Sequence, residues 1–353
     1  MSDMKILSLV ASTIKLFIIL ILFVSNSKAE KNNIKYYSDD KGILSLMYHR
    51  FNENKYPSTN IQMAVFKEQI KIIRKQNYKF YDPKYLEKKF HIPKNDKKIL
   101  ITIDDAFSSF YKVAWPYLKK EKIPFILFVS TEAVGKNGYM TWKQIKQIEK
   151  ESFVYIGNHS HTHNYLVNLK NADFIDDVYT ASTIFKKHLG YNPIFFSYPF
   201  GEYSSLIKTY ISKNFKFSFG QHSGVIDINK DPHELPRFPI NEKYGDLKRF
   251  EFLINLYPLQ YKNLFPIEKY LTNYSNPPKF SVEFFQEQKN INNINCFSDE
   301  GGTWEKSNIS FKQNILNLAF REKFNFRRGR INCSLNDNGI WRWFGIQFSV
   351  KQD

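Results

Sequence analysis

Asp104 and Asp105 stand together at the end of the apolar run Ile99-Leu100-Ile101-Thr102-Ile103. Adjacent carboxylates there are costly unless a metal, a basic partner or a helix start compensates them. Taken alone the pair is equally the start of a helix. Further along comes Gly157-Asn158-His159-Ser160-His161-Thr162-His163, in which histidines alternate just past a second apolar run. Imidazole is the commonest nitrogen ligand, and one aspartate with two histidines suits Zn²⁺ or a similar divalent ion while leaving positions open for water and substrate. If the segment curls into a helical turn, His159 and His163 face one way and His161 turns aside.

From Gly42 to about Leu256, short apolar runs alternate with longer periodic ones, the pattern of strands and helices around a parallel sheet. Strands are expected at Ile43 to Tyr48, Ile99 to Ile103, Phe125 to Val129, Val154 to Ile156 and Ile194 to Tyr198. Helices are expected at Val65 to Lys75, through Trp115 to Leu118, at Trp142 to Lys150, and at Asp173 to Leu189, closed by Gly190. His49, Asp104-Asp105, the histidine cluster and Pro199-Phe200 then all fall at the C-terminal ends of strands. In a barrel of parallel strands that is the face on which active sites are built.

At these residues the chain resembles the NodB-like polysaccharide deacetylase family. Its Thr-Phe-Asp-Asp-Gly pattern matches Thr102-Ile103-Asp104-Asp105-Ala106, and its His-Ser/Thr-x-x-His pattern matches His159 to His163. The resemblance covers roughly residues 42 to 240 and implies a distorted (β/α) barrel. It further implies Asp104 as general base and Asp105, His159 and His163 as ligands of a divalent metal, most simply Zn²⁺, with Ni²⁺, Co²⁺ or Fe²⁺ as alternatives. A metal of this kind polarises an acetyl carbonyl and acidifies water, while a nearby carboxylate takes the proton. The family's Arg-x-Pro-Tyr motif is altered to Ser197-Tyr198-Pro199-Phe200, so Tyr198, Pro199 and Phe200 are candidates for contact with substrate, with an oxyanion donor near Phe200. Arg237 is a candidate replacement for the missing arginine; a surface salt bridge is its other reading. Met47-Tyr48-His49 looks like the exported poly-N-acetylglucosamine deacetylase branch, which implies His49 as the acid, with His222 as the competitor. Trp142 either walls the site against a sugar ring or packs on a helix face.

The implied activity is hydrolysis of acetamido groups on an N-acetylated polysaccharide or oligosaccharide. The alternatives are an O-acetyl glycan esterase and a non-catalytic glycan-binding protein on the same fold. Lys5 and Lys15, the apolar run Leu16 to Val24 and the Ser27-Lys28-Ala29 pattern read as a signal peptide over 1–29, with a membrane anchor as the weaker reading because nine apolar residues are too few to cross a bilayer, and the expected placement is periplasmic or extracellular. The catalytic domain is expected over 36–258, and a small β-rich accessory domain, a sandwich, over 262–353. The formal charge of +17 comes from scattered lysines without a nucleic-acid motif, which points to an anionic membrane surface or acidic glycans as contacts rather than nucleic acid, with no span; the acetylated glycan as partner is what the resemblance implies. Cys296 and Cys333, the only cysteines, can form one disulfide in an oxidising compartment.

Overall fold

Ile43–Tyr48, Lys98–Ile103, Phe125–Val129, Val154–Asn158, Phe195–Ser197 and Phe217–Phe219 pair in that spatial order, each parallel to the next. The computed structural model that gives this topology describes residues 41–88, 97–227, 229–286 and 288–352. The signal peptide read over 1–29 lies outside the described residues. Among the described residues, no helix is long and apolar enough to cross a membrane.

Both faces of this sheet are covered, which is why its strands read as nearly unbroken apolar runs. Alternation still decides which side chain goes where. Ile99, Ile101 and Ile103 join Leu44, Leu46, Phe125, Leu127, Val154 and Ile156 in a core beneath the helices. Leu100, Ile126, Phe128, Phe195, Phe217 and Phe219 form a second core on the opposite face, inside the curl. Continuing the inward sequence by two residues per step leads from Leu100 through Thr102 to Asp104, and from Gly157 to His159. Gly157 is small for a reason: a Cβ there would lie 2.3 Å from a ring carbon of Phe128.

The curl is bridged by one short segment. Leu235 pairs with Phe219 at one edge, and Phe238-Pro239 pair in parallel with Leu46-Met47 at the other. Arg237 therefore sits where the last parallel strand meets the first. The helices cover the outer face at Met63–Lys75, Trp115–Glu121, Trp142–Glu149 and Asn171–Leu189, the last ending at left-handed Gly190. Two more, Ser205–Asn214 and Leu247–Ile254, escaped the sequence reading.

After Leu256 the chain is almost entirely β. The long hairpin Arg328–Asp337 and Ile340–Val350 belongs to one sheet, and Phe280–Glu283 with Ile315–Ala319 belongs to another. Ile331, Cys333, Leu335 and Phe348 from the first meet Phe280, Val282, Leu316 and Leu318 from the second in a common core. Cys296 and Cys333 are direct cross-strand partners and are joined by a disulfide. By its contacts the described chain from residue 41 onward is one compact unit.

Candidate active site

Alternation alone would put Asp104 and Asp105 on opposite faces of the sheet. Both reach the same spot because the chain leaves the strand at Ile103 and turns through positive φ, 71° at Asp105 and 53° at Ala106. Non-glycine residues adopt such angles only when the surroundings over-determine them, and the cost clusters at functional sites. Ser160 (67°), His163 (57°) and Phe200 (58°) bring the same conformation to the other sides of this spot.

Nε2 of His159 lies 3.5 Å from Oδ1 of Asp105, Nε2 of His163 lies 3.3 Å from the same oxygen, and the two nitrogens are 3.2 Å apart. Ligands on a tetrahedral Zn²⁺ at bond lengths of about 2.0–2.1 Å stand about 3.3–3.4 Å from one another, so the triangle has the size a divalent ion needs. His159 Nδ1 donates to the backbone carbonyl of Ser197 at 2.7 Å, which fixes the proton on Nδ1 and leaves the Nε2 lone pair facing the triangle. Burial, the largest influence on His159, pushes it down to about 4, so the imidazole is neutral and able to ligate.

Asp104 is wholly buried and accepts two parallel hydrogen bonds from Arg237, 2.7 Å and 2.9 Å long. Burial pushes its pKa up, but Arg237, with smaller help from His159 and His49, outweighs it and holds the carboxyl at about 2. Arg237 is itself 0 % exposed and spends its other donors on the carbonyl of Gly220 and the hydroxyls of Thr102 and Ser197. Its guanidinium carbon lies 5.4 Å from the ring centre of Phe128. The surface-salt-bridge reading of Arg237 is thus corrected. Serine occupies the position of the motif's arginine, and the guanidinium reaches the same carboxylate from the bridging segment. With Asp104 and Arg237 cancelling, Asp105 leaves the triangle one negative charge, which suits a cation.

His49 follows the first strand and is close enough for its charge to act on Asp104. His222 is elsewhere: it lines a cavity with Tyr244, Trp304 and Trp343, and the charges acting on it are those of Glu234, Lys269 and Arg237. Trp142 stacks on His188 at 4.3 Å and meets Phe185 edge-on, so its ring packs on a helix rather than beside the triangle. Tyr198 is also turned away, buried among Phe196 and Tyr203 with its hydroxyl on the carbonyl of His233. Strand alternation explains it: Ser197 faces inward, so Tyr198 faces out. Pro199 is buried, and Phe200 alone of that motif presents its ring to the site, 4.7 Å from His163. His161 is turned aside, its Nδ1 2.8 Å from the Thr131 hydroxyl.

Asp177, unremarkable in sequence, holds the histidine loop from the helix Asn171–Leu189. It accepts from the N–H of His161 (2.7 Å), the N–H of Thr162 (3.0 Å) and the Thr162 hydroxyl (2.5 Å). Outer-sphere supports of this kind are worth about ten- to a hundredfold in metal affinity. Asp177→Ala should therefore weaken zinc binding by about that factor in a competition titration; unchanged affinity would remove Asp177 from the site's support.

Part of the chain is similar to known proteins. Residues 91–217 match the polysaccharide deacetylase family model. Poly-β-1,6-N-acetyl-D-glucosamine N-deacetylase of Staphylococcus aureus is 26% identical over 200 residues, covering 52% of this chain and 68% of that protein. Among solved structures, IcaB from Ammonifex degensii superposes with a TM-score of 0.54 at 25% identity, covering 61% of this chain and 97% of that one. The Streptococcus pyogenes deacetylase PplD, in complex with acetate, gives 0.55 at 21% identity, covering 60% and 98%. Fold and motifs together define the class: the chain carries a polysaccharide deacetylase domain. Within that class it is similar to the poly-N-acetylglucosamine deacetylases.

Proposed function

We propose that the protein is an exported, metal-dependent N-deacetylase of an N-acetylated glucosamine polymer, with residues 36–258 as a distorted (β/α) barrel and 262–353 as a β-rich accessory domain. The observation that carries this reading is the Asp105, His159, His163 triangle beside a buried Asp104–Arg237 pair. The similarity to N-deacetylases of poly-β-1,6-N-acetylglucosamine supports the substrate class. The leader-like pattern over 1–29 and the oxidised Cys296–Cys333 pair support export.

Asp105, His159 and His163 would hold the divalent ion, which when bound supplies Lewis acidity toward the acetyl carbonyl and the attacking water. Asp104 accepts the proton of that water as oxygen adds to the carbonyl carbon. Arg237 keeps the carboxylate ionised and fixed in direction by its paired hydrogen bonds. The N–H of Phe200, next to two turn hydrogen bonds that are donated by Gly201 and Glu202, would supply the oxyanion donor. His49, beside Asp104, gives a proton to the sugar nitrogen as the C–N bond breaks, and acetate leaves.

The test is acetate release from N-acetylglucosamine oligomers by the purified chain, before and after dialysis against a chelator. Acetate should appear, fall to background on metal removal and return when zinc is restored. Release from O-acetylated glycans alone would make the protein an esterase, and zinc binding without release from either would leave a glycan-binding scaffold.

A further inference from the structure

Gln347 lies on the strand Ile340–Val350, nearly 150 residues beyond the Phe200 turn, yet its side-chain N–H donates to the backbone carbonyl of Phe200 at 3.0 Å. Gln347 is buried, so this bond is not exchanged freely with water. Just before the partner strand, Arg327 lays its guanidinium over the ring of Tyr165 at 3.4 Å. Tyr165 stacks on Phe200 at 3.9 Å, and Phe200 meets His163 edge-on at 4.7 Å. Arg327 also pairs with Glu202, the last residue of the turn, at 3.1 Å; that carboxylate is 0 % exposed. A continuous column thus runs from a metal-facing histidine to the C-terminal strands, with a charged pair anchoring its far end.

We propose that Gln347 and Arg327 are positioning residues of the active site, the first setting the direction of the Phe200 peptide and the second bracing His163 through Tyr165 and Phe200. The two adjacent peptide units of Phe200 share its left-handed backbone, φ 58° and ψ 6°. Holding the carbonyl therefore restrains the N–H on the other side of the Cα. Non-glycine residues relax from that conformation unless their surroundings hold them. The column leaves the Nε2 edge of the His163 imidazole to the ion and sets Phe200 against the rest of the ring. The C-terminal strands thereby complete the site instead of only covering the sheet. This inference rests on the deacetylase reading for the meaning of Phe200, but the brace on His163 does not depend on which acetylated compound is cleaved.

The test compares Gln347→Ala, Arg327→Ala, Arg327→Lys and Trp341→Ala, the last in the same hairpin but in ring contact with Phe252. Gln347→Ala should lower kcat about tenfold with KM within twofold and zinc affinity unchanged, because a misdirected donor weakens the transition state and not substrate binding. Arg327→Ala should weaken zinc binding about tenfold. Arg327→Lys keeps the charge opposite Glu202 but not the planar stack, so it should recover thermal stability without recovering zinc affinity. Trp341→Ala should leave kcat and zinc affinity as in the parent. A kcat loss in Trp341→Ala equal to that in Gln347→Ala, or parental kcat and zinc affinity in both Gln347→Ala and Arg327→Ala, would overturn the proposal. A parent chain that binds zinc but releases no acetate would overturn the deacetylase reading alone; the zinc titrations of the Arg327 variants would still decide the brace.

Discussion

Arg237→Met is expected to damage stability and turnover together. The side chain removed is buried, makes both hydrogen bonds to the Asp104 carboxylate, and satisfies Gly220, Thr102 and Ser197 besides. Removing one partner of a buried ion pair leaves an uncompensated charge and costs about 3–5 kcal/mol. Denaturant unfolding at pH 7 should show a loss of that order. The pH dependence has a definite sign. In the parent chain, Asp104 is depressed to about 2, so its contribution is present above its unfolded pKa and lost only as pH falls through the folded value. Without Arg237, burial, the largest influence, is opposed only by the smaller pull of His159 and His49 and raises Asp104, so the cost of its charge is present at neutral pH and absent once the carboxyl is protonated in both states. Measured on chelated protein, the gap between parent and variant should therefore narrow as pH is lowered from 7 toward 4. A constant gap would mean that the guanidinium acts by packing and not by charge. For turnover we expect kcat/KM to fall by about a hundredfold or more, since an undirected base loses its alignment with the attacking water. The double variant Ser197→Arg with Arg237→Ser, which returns the guanidinium to the motif position, should recover part of that loss.

His159→Ala and Asp105→Ala are expected to abolish the proposed metal site. Supporting contacts are worth about ten- to a hundredfold in affinity, and a direct ligand is worth more, so zinc binding should fall by over about a thousandfold. His159 is the sharper probe. It is 1 % exposed, and its ring is fixed by the carbonyl of Ser197. Acetate release should fall to background in both variants at zinc concentrations that saturate the parent. Asp105→Asn separates charge from shape, since it keeps the volume while removing the negative charge of the triangle. It should bind zinc better than Asp105→Ala but far worse than the parent. Zinc retained at parental affinity in His159→Ala would show that the ion sits elsewhere and would remove the basis for the deacetylase reading.

Much of this site was legible because its parts are local. Parallel strands buried on both faces must be short apolar runs, and side chains that do chemistry follow them at one end, so Asp104-Asp105, His159 to His163 and His49 could be picked out by position and type. The spacing of His159 and His163 within a single loop made their meeting at one point readable without any long-range information. Arg237 was identifiable as a candidate only, because nothing near it in sequence specifies which carboxylate it meets. Trp142 and Tyr198 were drawn toward the site by their motifs, and strand alternation and helix packing sent both rings elsewhere. Asp177, Tyr165, Arg327 and Gln347 carried no sequence signal, since a helix-borne aspartate or a strand-borne glutamine looks the same whether it faces solvent or a catalytic loop.

By itself, then, the sequence determined the strand ends, the candidate ligand residues and the β character of the C-terminal third, because hydrophobic periodicity and short motifs act over a few residues. Only the tertiary structure decided that Arg237 bridges the curl of the sheet to reach Asp104, that Asp105 turns back through a left-handed bend, and that Gln347 grips the carbonyl of Phe200. Those arrangements depend on strand register and on which distant segments are brought edge to edge. Such pairings are set by the packing of the whole chain and leave no trace in the local pattern of any one segment.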